Sequence, residues 1–312
     1  MLTIAHTISP SLQGQLKKIE QTRQRIILHP LPPARETSLQ FQATMSRIVF
    51  GLSATGTDVP FDEVKKALTL TQSKKENSLQ KQIIRYKQAL DYIKRDWLVS
   101  NETIYPETLI KLHGIMSPGK LRVAKKELQE VLDYLQVASD NPFIQAAIGK
   151  LQVSSLQPFT EGNELLATLI SYLFLYKAGL DCRGFLILEQ LGKNGDTYLR
   201  QYTASKGKTN ITPWLEYFTK GVSIQLDYAY SEISKTTPNT HKSAYDKLTQ
   251  LNERQKAILN LLDNPNTVIT NRTVQKVFKI SQITASRDLV HLATLGLIFT
   301  QGRGRSVSYT RI

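Results

Sequence analysis

The segment that most constrains this chain is Leu165-Leu166-Ala167-Thr168-Leu169-Ile170 through Tyr176, which is apolar around almost its whole circumference when wound as a helix. Such a helix has no face to offer water, so it belongs at the centre of a bundle. It ends at Lys177 and Gly179, too soon to cross a membrane. Other helices must therefore surround it, and the sequence supplies them. Apolar residues recur at spacings of three and four near 39–49, 61–69, 76–95, 106–116, 123–137 and 143–155. Asn141 before Pro142 reads as an N-cap followed by proline at the first helical position, with Phe143, Ala146, Ala147 and Leu151 as the buried stripe. A further helix runs from Pro213 to about Ser231, opened by Thr212 as cap. The expected fold class is mainly α.

Periodicity fails between Ser234 and Lys242, where SKTTPNTHK carries a central proline. The expected division is a helical domain over 1–233, a linker over 234–250 and a small domain over 251–312. There is no internal repeat and no low-complexity tract.

Within the small domain, 251–262 reads as a first helix with Ile258, Leu261 and Leu262 inward, and a second covers about Arg272 to Phe278. Lys279-Ile280-Ser281 is the tight turn, and Ser281 caps a third helix reaching about Leu295. Gly296 follows where helices commonly stop in a left-handed conformation. On the third helix Ala285, Leu289 and Leu292 form one buried face, while Thr284, Arg287 and His291 fall on the other. Residues 298–309 read as a hairpin with Arg303 and Arg305 flanking Gly304 at its tip. The string SQITASRDLVHLATLGLI with its basic glycine wing resembles winged helix-turn-helix regulators. The resemblance implies DNA as partner. Thr284 and Arg287 would contact bases together with His291. Arg303 and Arg305 would reach phosphates or the minor groove, and Lys276 and Lys279 would add phosphate contacts.

Charge agrees with that partner. The chain of 312 residues has 40 Lys and Arg against 26 Asp and Glu, a formal charge of +14. Residues 251–312 hold nine basic against three acidic side chains, a surplus of +6 in a fifth of the length. Cys182 is the single cysteine, which excludes an internal disulfide and a thiolate metal cage. His6, His29, His113, His241 and His291 lie scattered without a metal-binding spacing. The N-terminus lacks the pattern of a signal peptide, and no apolar run reaches the eighteen residues of a membrane span, so a soluble, cytoplasmic protein is expected.

Just before the apolar helix stands Gln157-Pro158-Phe159-Thr160-Glu161-Gly162-Asn163-Glu164. It resembles the Fic family signature, H-P-F-x-D/E-G-N-G-R-x-x-R. Flanking stretches agree: Leu31-Pro32-Pro33, Ala89-Leu90-Asp91-Tyr92, Pro118-Gly119-Lys120-Leu121-Arg122 and Thr212-Pro213-Trp214-Leu215-Glu216-Tyr217-Phe218. The likeness spans roughly residues 20 to 312, since many long Fic proteins also carry a winged helix. It implies a Fic-like helical bundle and, in the usual member, transfer of AMP from ATP to a protein hydroxyl. There the histidine is general base, the acidic residue holds Mg²⁺, and the glycine-rich loop with its arginines cradles phosphates.

This chain departs at each of those chemical positions. Gln157 replaces the base, Glu164 the second glycine, Leu165 and Thr168 the two arginines, while Phe159, Glu161, Gly162 and Asn163 remain. Losing a general base alone costs about 10²–10⁴ in rate. The family's inhibitory pattern, S/T-x-x-x-E-G/N, corresponds to Ser46-Arg47-Ile48-Val49-Phe50-Gly51, with Phe50 in place of the glutamate. The β-hairpin flap that registers target chains has no room, because a helical pattern follows Arg122 directly.

The expectation is a catalytically impaired Fic-like protein acting as a DNA-binding transcriptional regulator. The degenerate domain, which retains a vestigial nucleotide and metal pocket (Phe159, Glu161, Gly162, Asn163, Glu164), would be a dimerisation or ligand-sensing module, and no cofactor is expected. One alternative is a divergent AMP-transferase, with ATP, a Mg²⁺ on Glu161 beside Asn163, and Glu164 as substitute base. Another is a protein-interaction partner of an active Fic enzyme.

Overall fold

The computed structural model describes residues 4–69, 77–137, 141–192, 195–235, 251–262, 267–301 and 307–311. Helix α1 (Pro10–Leu28) opens on Ser9, whose hydroxyl accepts from the Leu12 amide. It is followed by α2 (Pro33–Ser53), α3 (Phe61–Thr69), α4 (Ser78–Trp97), α5 (Pro106–Met116) and α6 (Lys125–Val137). Next come α7 (Pro142–Leu156), α8 (Asn163–Lys177), α9 (Gly195–Ser205) and α10 (Thr212–Ser234). Asn141 caps α7 through the Phe143 amide, as its sequence predicts.

The apolar helix is α8, and every residue from Leu165 to Tyr176 is buried in it. It runs antiparallel to α7: Ala146 pairs with Ser171, Lys150 with Thr168 and Ser154 with Glu164. Trp214 of α10 closes the third side, its indole N–H donating to the Ala147 carbonyl at 2.7 Å. One apolar core joins these helices, from Leu12 to Ile233.

Helices α1 and α9 have no counterpart in the sequence reading. Along α1 only Leu12, Ile19, Thr22 and Ile26 are buried, a narrow seam among polar residues. In α9 only Ser205 is fully buried. Helix α2 begins at Pro33, six residues before its apolar stripe suggests. Thr212 is the first residue of α10 rather than its cap, and Asn210 accepts from the Thr212 amide and hydroxyl.

A second apolar cluster, from Leu251 to Tyr309, belongs to the C-terminal segment. It contains α11 (Glu253–Leu261), β1 (Val268–Thr270), α12 (Asn271–Phe278), α13 (Gln282–Thr294), β2 (Ile298–Gln301) and β3 (Ser308–Arg311). The sheet is antiparallel in the order β1-β3-β2, with Tyr309 opposite both Ile269 and Thr300. Between the two clusters, Ser234 ends α10 and Lys235 caps it, while 236–250 lie outside the described residues. Among the described residues no helix is long and apolar enough to cross a membrane.

Candidate functional site

The motif loop joins α7 to α8. Gln157 is the C-cap of α7 with φ 45°, exposed, its amide donating to the Val153 carbonyl. Phe159 is turned inward and is 2% exposed. The Asn163 side chain fixes the turn at both ends: its Oδ1 accepts from the Phe159 amide at 2.9 Å and its Nδ2 donates to the Phe159 carbonyl at 2.8 Å. Gly162 has φ 76°, and a Cβ there would come within 3.0 Å of Ser117, so the position suits glycine on two counts.

His113, for which no motif suggests a role, holds the loop from α5. Its ring stacks on Phe159 at 3.6 Å between centroids and 3° between planes, and its Nε2 lies 2.9 Å from the Glu161 carbonyl. Burial holds its pKa below the usual histidine value, against a smaller opposing effect of the bond to Glu161. A neutral imidazole donating from Nε2 satisfies that carbonyl. The residues before α6 form a one-bridge ladder with the loop. Leu121 pairs antiparallel with Phe159, Arg122 N–H donates to Pro158 O at 2.7 Å, and Thr160 N–H donates to Lys120 O at 2.9 Å. Helix α6 begins three residues after Arg122, which leaves no hairpin between them.

Beneath the loop lies a second group the sequence reading passed over. Lys150, 4% exposed on α7, donates to the Thr168 hydroxyl at 2.7 Å, and Thr168 donates to the Glu164 carbonyl at 3.2 Å. Burial lowers the Lys150 pKa, while the charges of Glu164 and Glu189 raise it. The Glu164 carboxylate, in the first turn of α8, accepts from Tyr198 at 3.2 Å and from Ser154 at 3.4 Å. Thus Glu164 faces the interior, whereas Glu161 is exposed, its carboxylate in no hydrogen bond or ion pair among the described residues though its charge acts on His113. Among the described residues no group of three or more His, Cys, Asp or Glu could hold a metal ion.

The α2 stretch aligned with the inhibitory pattern is also committed internally. Arg47 donates to the carbonyls of Leu186 (2.9 Å) and Gly184 (3.0 Å) and to the Tyr176 hydroxyl (3.4 Å). It lies over the Tyr172 ring at 4.8 Å. Nearby, Glu189 accepts from Tyr86 (2.8 Å) and Tyr172 (2.7 Å), and burial holds its carboxyl above the usual range despite Arg47.

Helix α13 is different. Ser281 caps it, accepting from the Thr284 amide at 3.2 Å. Ala285, Leu289 and Leu292 are buried, as their spacing predicts. Asp288 also points inward, 4% exposed, and accepts from Arg254 (2.5 Å) and Gln255 (2.9 Å) of α11. Its burial would raise the carboxyl pKa, but the two bonds prevail and lower it. Asn271 of α12 donates to the Ser286 hydroxyl at 2.8 Å, fixing α12 against α13. Arg287 and His291 are exposed, and so are Lys276 on α12 and Lys279 in the turn. None of these four forms an ion pair among the described residues. Thr284 is half-buried, with its hydroxyl 2.9 Å from that of Ser281. Arg303 and Arg305 lie outside the described residues.

An α7–loop–α8 hairpin inside a helical bundle, followed by a winged helix, defines the class. The solved structures it resembles include a Fic family protein from Desulfovibrio desulfuricans G20, with TM-score 0.62 and 13% identity over 100% of this chain and 98% of that one. Fic-1 from C. elegans matches with TM-score 0.58 and 16% identity over 70% of this chain and 71% of that one. A Fic domain containing signaling protein from Bacteroides thetaiotaomicron VPI-5482 matches with TM-score 0.54 and 12% identity, over 73% and 98%. Residues 254–311 match the family model of the DeoR-like helix-turn-helix domain. No curated protein matches the chain. The chain has the Fic fold, and its C-terminal segment is a helix-turn-helix domain of the DeoR-like kind.

Proposed function

We propose that the chain is a DNA-binding transcriptional regulator whose Fic-like part does not transfer AMP and serves as a dimerisation or ligand-sensing module. The observation that carries the reading is Arg287: exposed, without an ion-pair partner among the described residues, on the outward side of α13. An unpaired guanidinium there suits the bidentate reading of guanine in a major groove. His291 extends the same face, Lys276 and Lys279 suit phosphates, and Arg303 and Arg305 complete the contacts on the wing.

The chemistry of the loop supports the second half of the reading. Gln157 carries an amide, which does not take a proton from an attacking hydroxyl. A nucleotide-bound Mg²⁺ needs carboxylate ligands and phosphates together. Glu161 could supply one carboxylate, but Glu164 brings a negative charge into the first turn of α8, where phosphates would meet backbone N–H groups. The donor set therefore does not fit Mg·ATP, and no catalytic step is derived through it.

The test is fluorescence anisotropy of the full chain against fragments of its own upstream DNA, with and without Arg287→Ala, across salt concentrations. Preference for particular fragments, lost in Arg287→Ala, is the expected result. Binding that is indifferent to sequence and falls only with salt would make the domain a non-specific or docking module. A second reading rests on the exposed, unpartnered Glu161 carboxylate beside an intact loop: residual nucleotidyl transfer. Labelled ATP with Mg²⁺ checks it, and self-labelling abolished by Glu161→Ala would overturn the non-catalytic reading. Co-purification with an active Fic enzyme in the absence of DNA binding would favour an interaction partner instead.

A further inference from the structure

The outward face of α13 contains a residue that belongs to no core. Ile283, in the first turn, is 65% exposed. It precedes Arg287 by four residues, and side chains at i and i+4 share one helix face. Both stand opposite the buried stripe of Ala285, Leu289 and Leu292, whereas Thr284 sits at its flank with its hydroxyl against Ser281. We propose that Ile283 is a specificity-determining residue of the DNA interface, packing against the 5-methyl group of a thymine about two base steps from the guanine read by Arg287. This rests on the reading of the domain as a DNA binder.

Four physical points carry it. A β-branched side chain in a helix has essentially one χ1 rotamer, so Ile283 presents a fixed apolar surface with little entropy left to lose. Thymine alone among the DNA bases places a methyl in the major groove, where apolar side chains distinguish it. Four residues of helix rise about 6 Å, close to two base steps of about 3.4 Å along one strand. The charge around Ile283 selects the occupant: Lys279 and Arg287 are exposed, and the only acid on α13, Asp288, is buried and paired with Arg254. A face with exposed cations, a single exposed apolar side chain and no exposed carboxylate of its own suits a polyanion that carries an isolated methyl. A second copy of the same face would bring cation to cation. Double-stranded RNA has a deep, narrow major groove that side chains do not read.

The experiment uses the full chain and a duplex selected by it from a randomised library. Each thymine is replaced singly by deoxyuridine, which removes only the methyl, and affinity is measured for wild type, Ile283→Ala and Arg287→Ala. At one thymine, about two steps from a guanine whose preference Arg287→Ala abolishes, deoxyuridine weakens wild-type binding about fourfold, the value of one buried methyl-sized group. Ile283→Ala binds the thymine duplex several-fold more weakly and is indifferent to the replacement, so the two losses do not add. Being exposed, Ile283 is removable without unfolding, which the melting temperature of Ile283→Ala checks. Sequence-specific binding that depends on Arg287 but ignores every deoxyuridine overturns the inference and leaves the DNA reading intact. A loss in Ile283→Ala that persists unchanged on deoxyuridine duplexes also overturns it, since Ile283 would then pack elsewhere. Failure to select any duplex overturns the DNA reading itself, and this inference falls with it.

Discussion

The motif loop and the recognition helix are both short polar segments set against apolar cores, yet they use their polar atoms in opposite ways. In the loop, Asn163 closes on Phe159, His113 on the Glu161 carbonyl, Thr160 on Lys120, and Glu164 on Tyr198 and Ser154. On the outward face of α13, Arg287 and His291 engage none of the described residues in an ion pair, and Lys276 and Lys279 stand equally open. A buried polar group must find a partner inside the chain or destabilise it. An exposed cation needs none, and remains available to a molecule outside. The likeness to Fic signatures draws attention to the loop, whereas the exposed cations lie on and beside helix α13.

The largest effect should come from the loop. Phe159→Ala removes a buried ring stacked on His113 and should cost about 3–5 kcal/mol, on the order of 10 °C in melting temperature. DNA affinity, measured well below the melt, should stay unchanged. A fall in affinity without unfolding would show that the loop belongs to the DNA-responsive machinery, and the contrast would break. Asp288→Ala sharpens the contrast from the other side. Asp288 lies on the recognition helix but faces inward, so it should behave like a loop residue and lower stability by about 2 kcal/mol. Its lowered pKa sets the sign with pH: the contribution is complete above the ordinary aspartate value and fades as pH falls through it. Chemical denaturation followed in the C-terminal segment at pH 7 and pH 3 checks both statements.

Where a stretch of sequence carries its own stop signals, the fold was legible in advance. Helices α3 and α5 occupy 61–69 and 106–116 as their spacing predicts, the second opened by Pro106. The buried central helix was equally plain, because nothing but a bundle hides an all-round apolar surface. Helix α1 escaped because its seam of Leu12, Ile19 and Ile26 is one residue wide amid Gln, Lys and Arg. Strand β1 escaped because three residues become a strand only by pairing with β3, forty residues onward. The site divides in the same manner. Its string was readable, but its closure depends on His113, which lies on another helix far back in the sequence, and the helix behind it is tied by Lys150, whose burial no local pattern announces. Ile283 shares the outward face that the spacing of Arg287 already marks, but its 65% exposure is visible only in the structure.

A weaker effect concerns His113. Its pKa is lowered in the folded chain, chiefly by burial, so the unfolded chain binds the proton more readily. Stability is therefore complete above the ordinary histidine value and declines as pH falls below about 6.5. His113→Phe keeps a ring against Phe159 but removes both the titration and the bond to Glu161. The variant should be less stable by about 1 kcal/mol at pH 7.5, with the gap to wild type narrowing toward pH 5. Urea midpoints at several pH values measure this, and a constant gap would mean that His113 acts by packing alone.

The smallest effect on stability is also the most discriminating. Arg287→Ala should change the unfolding free energy by less than about 0.5 kcal/mol, since the side chain is exposed and unpaired among the described residues. The same substitution should cost about 1–3 kcal/mol of binding to the preferred duplex, tenfold or more in affinity. Asp288, one residue along the same helix, should show the reverse order of effects. Side chains only one position apart would then report fold and function separately, because helical geometry turns one inward and the other outward. If Arg287→Ala instead lowers the melting temperature as much as Asp288→Ala, the arginine belongs to the fold, and the distinction between a closed loop and an open helix fails at the residue on which it depends most.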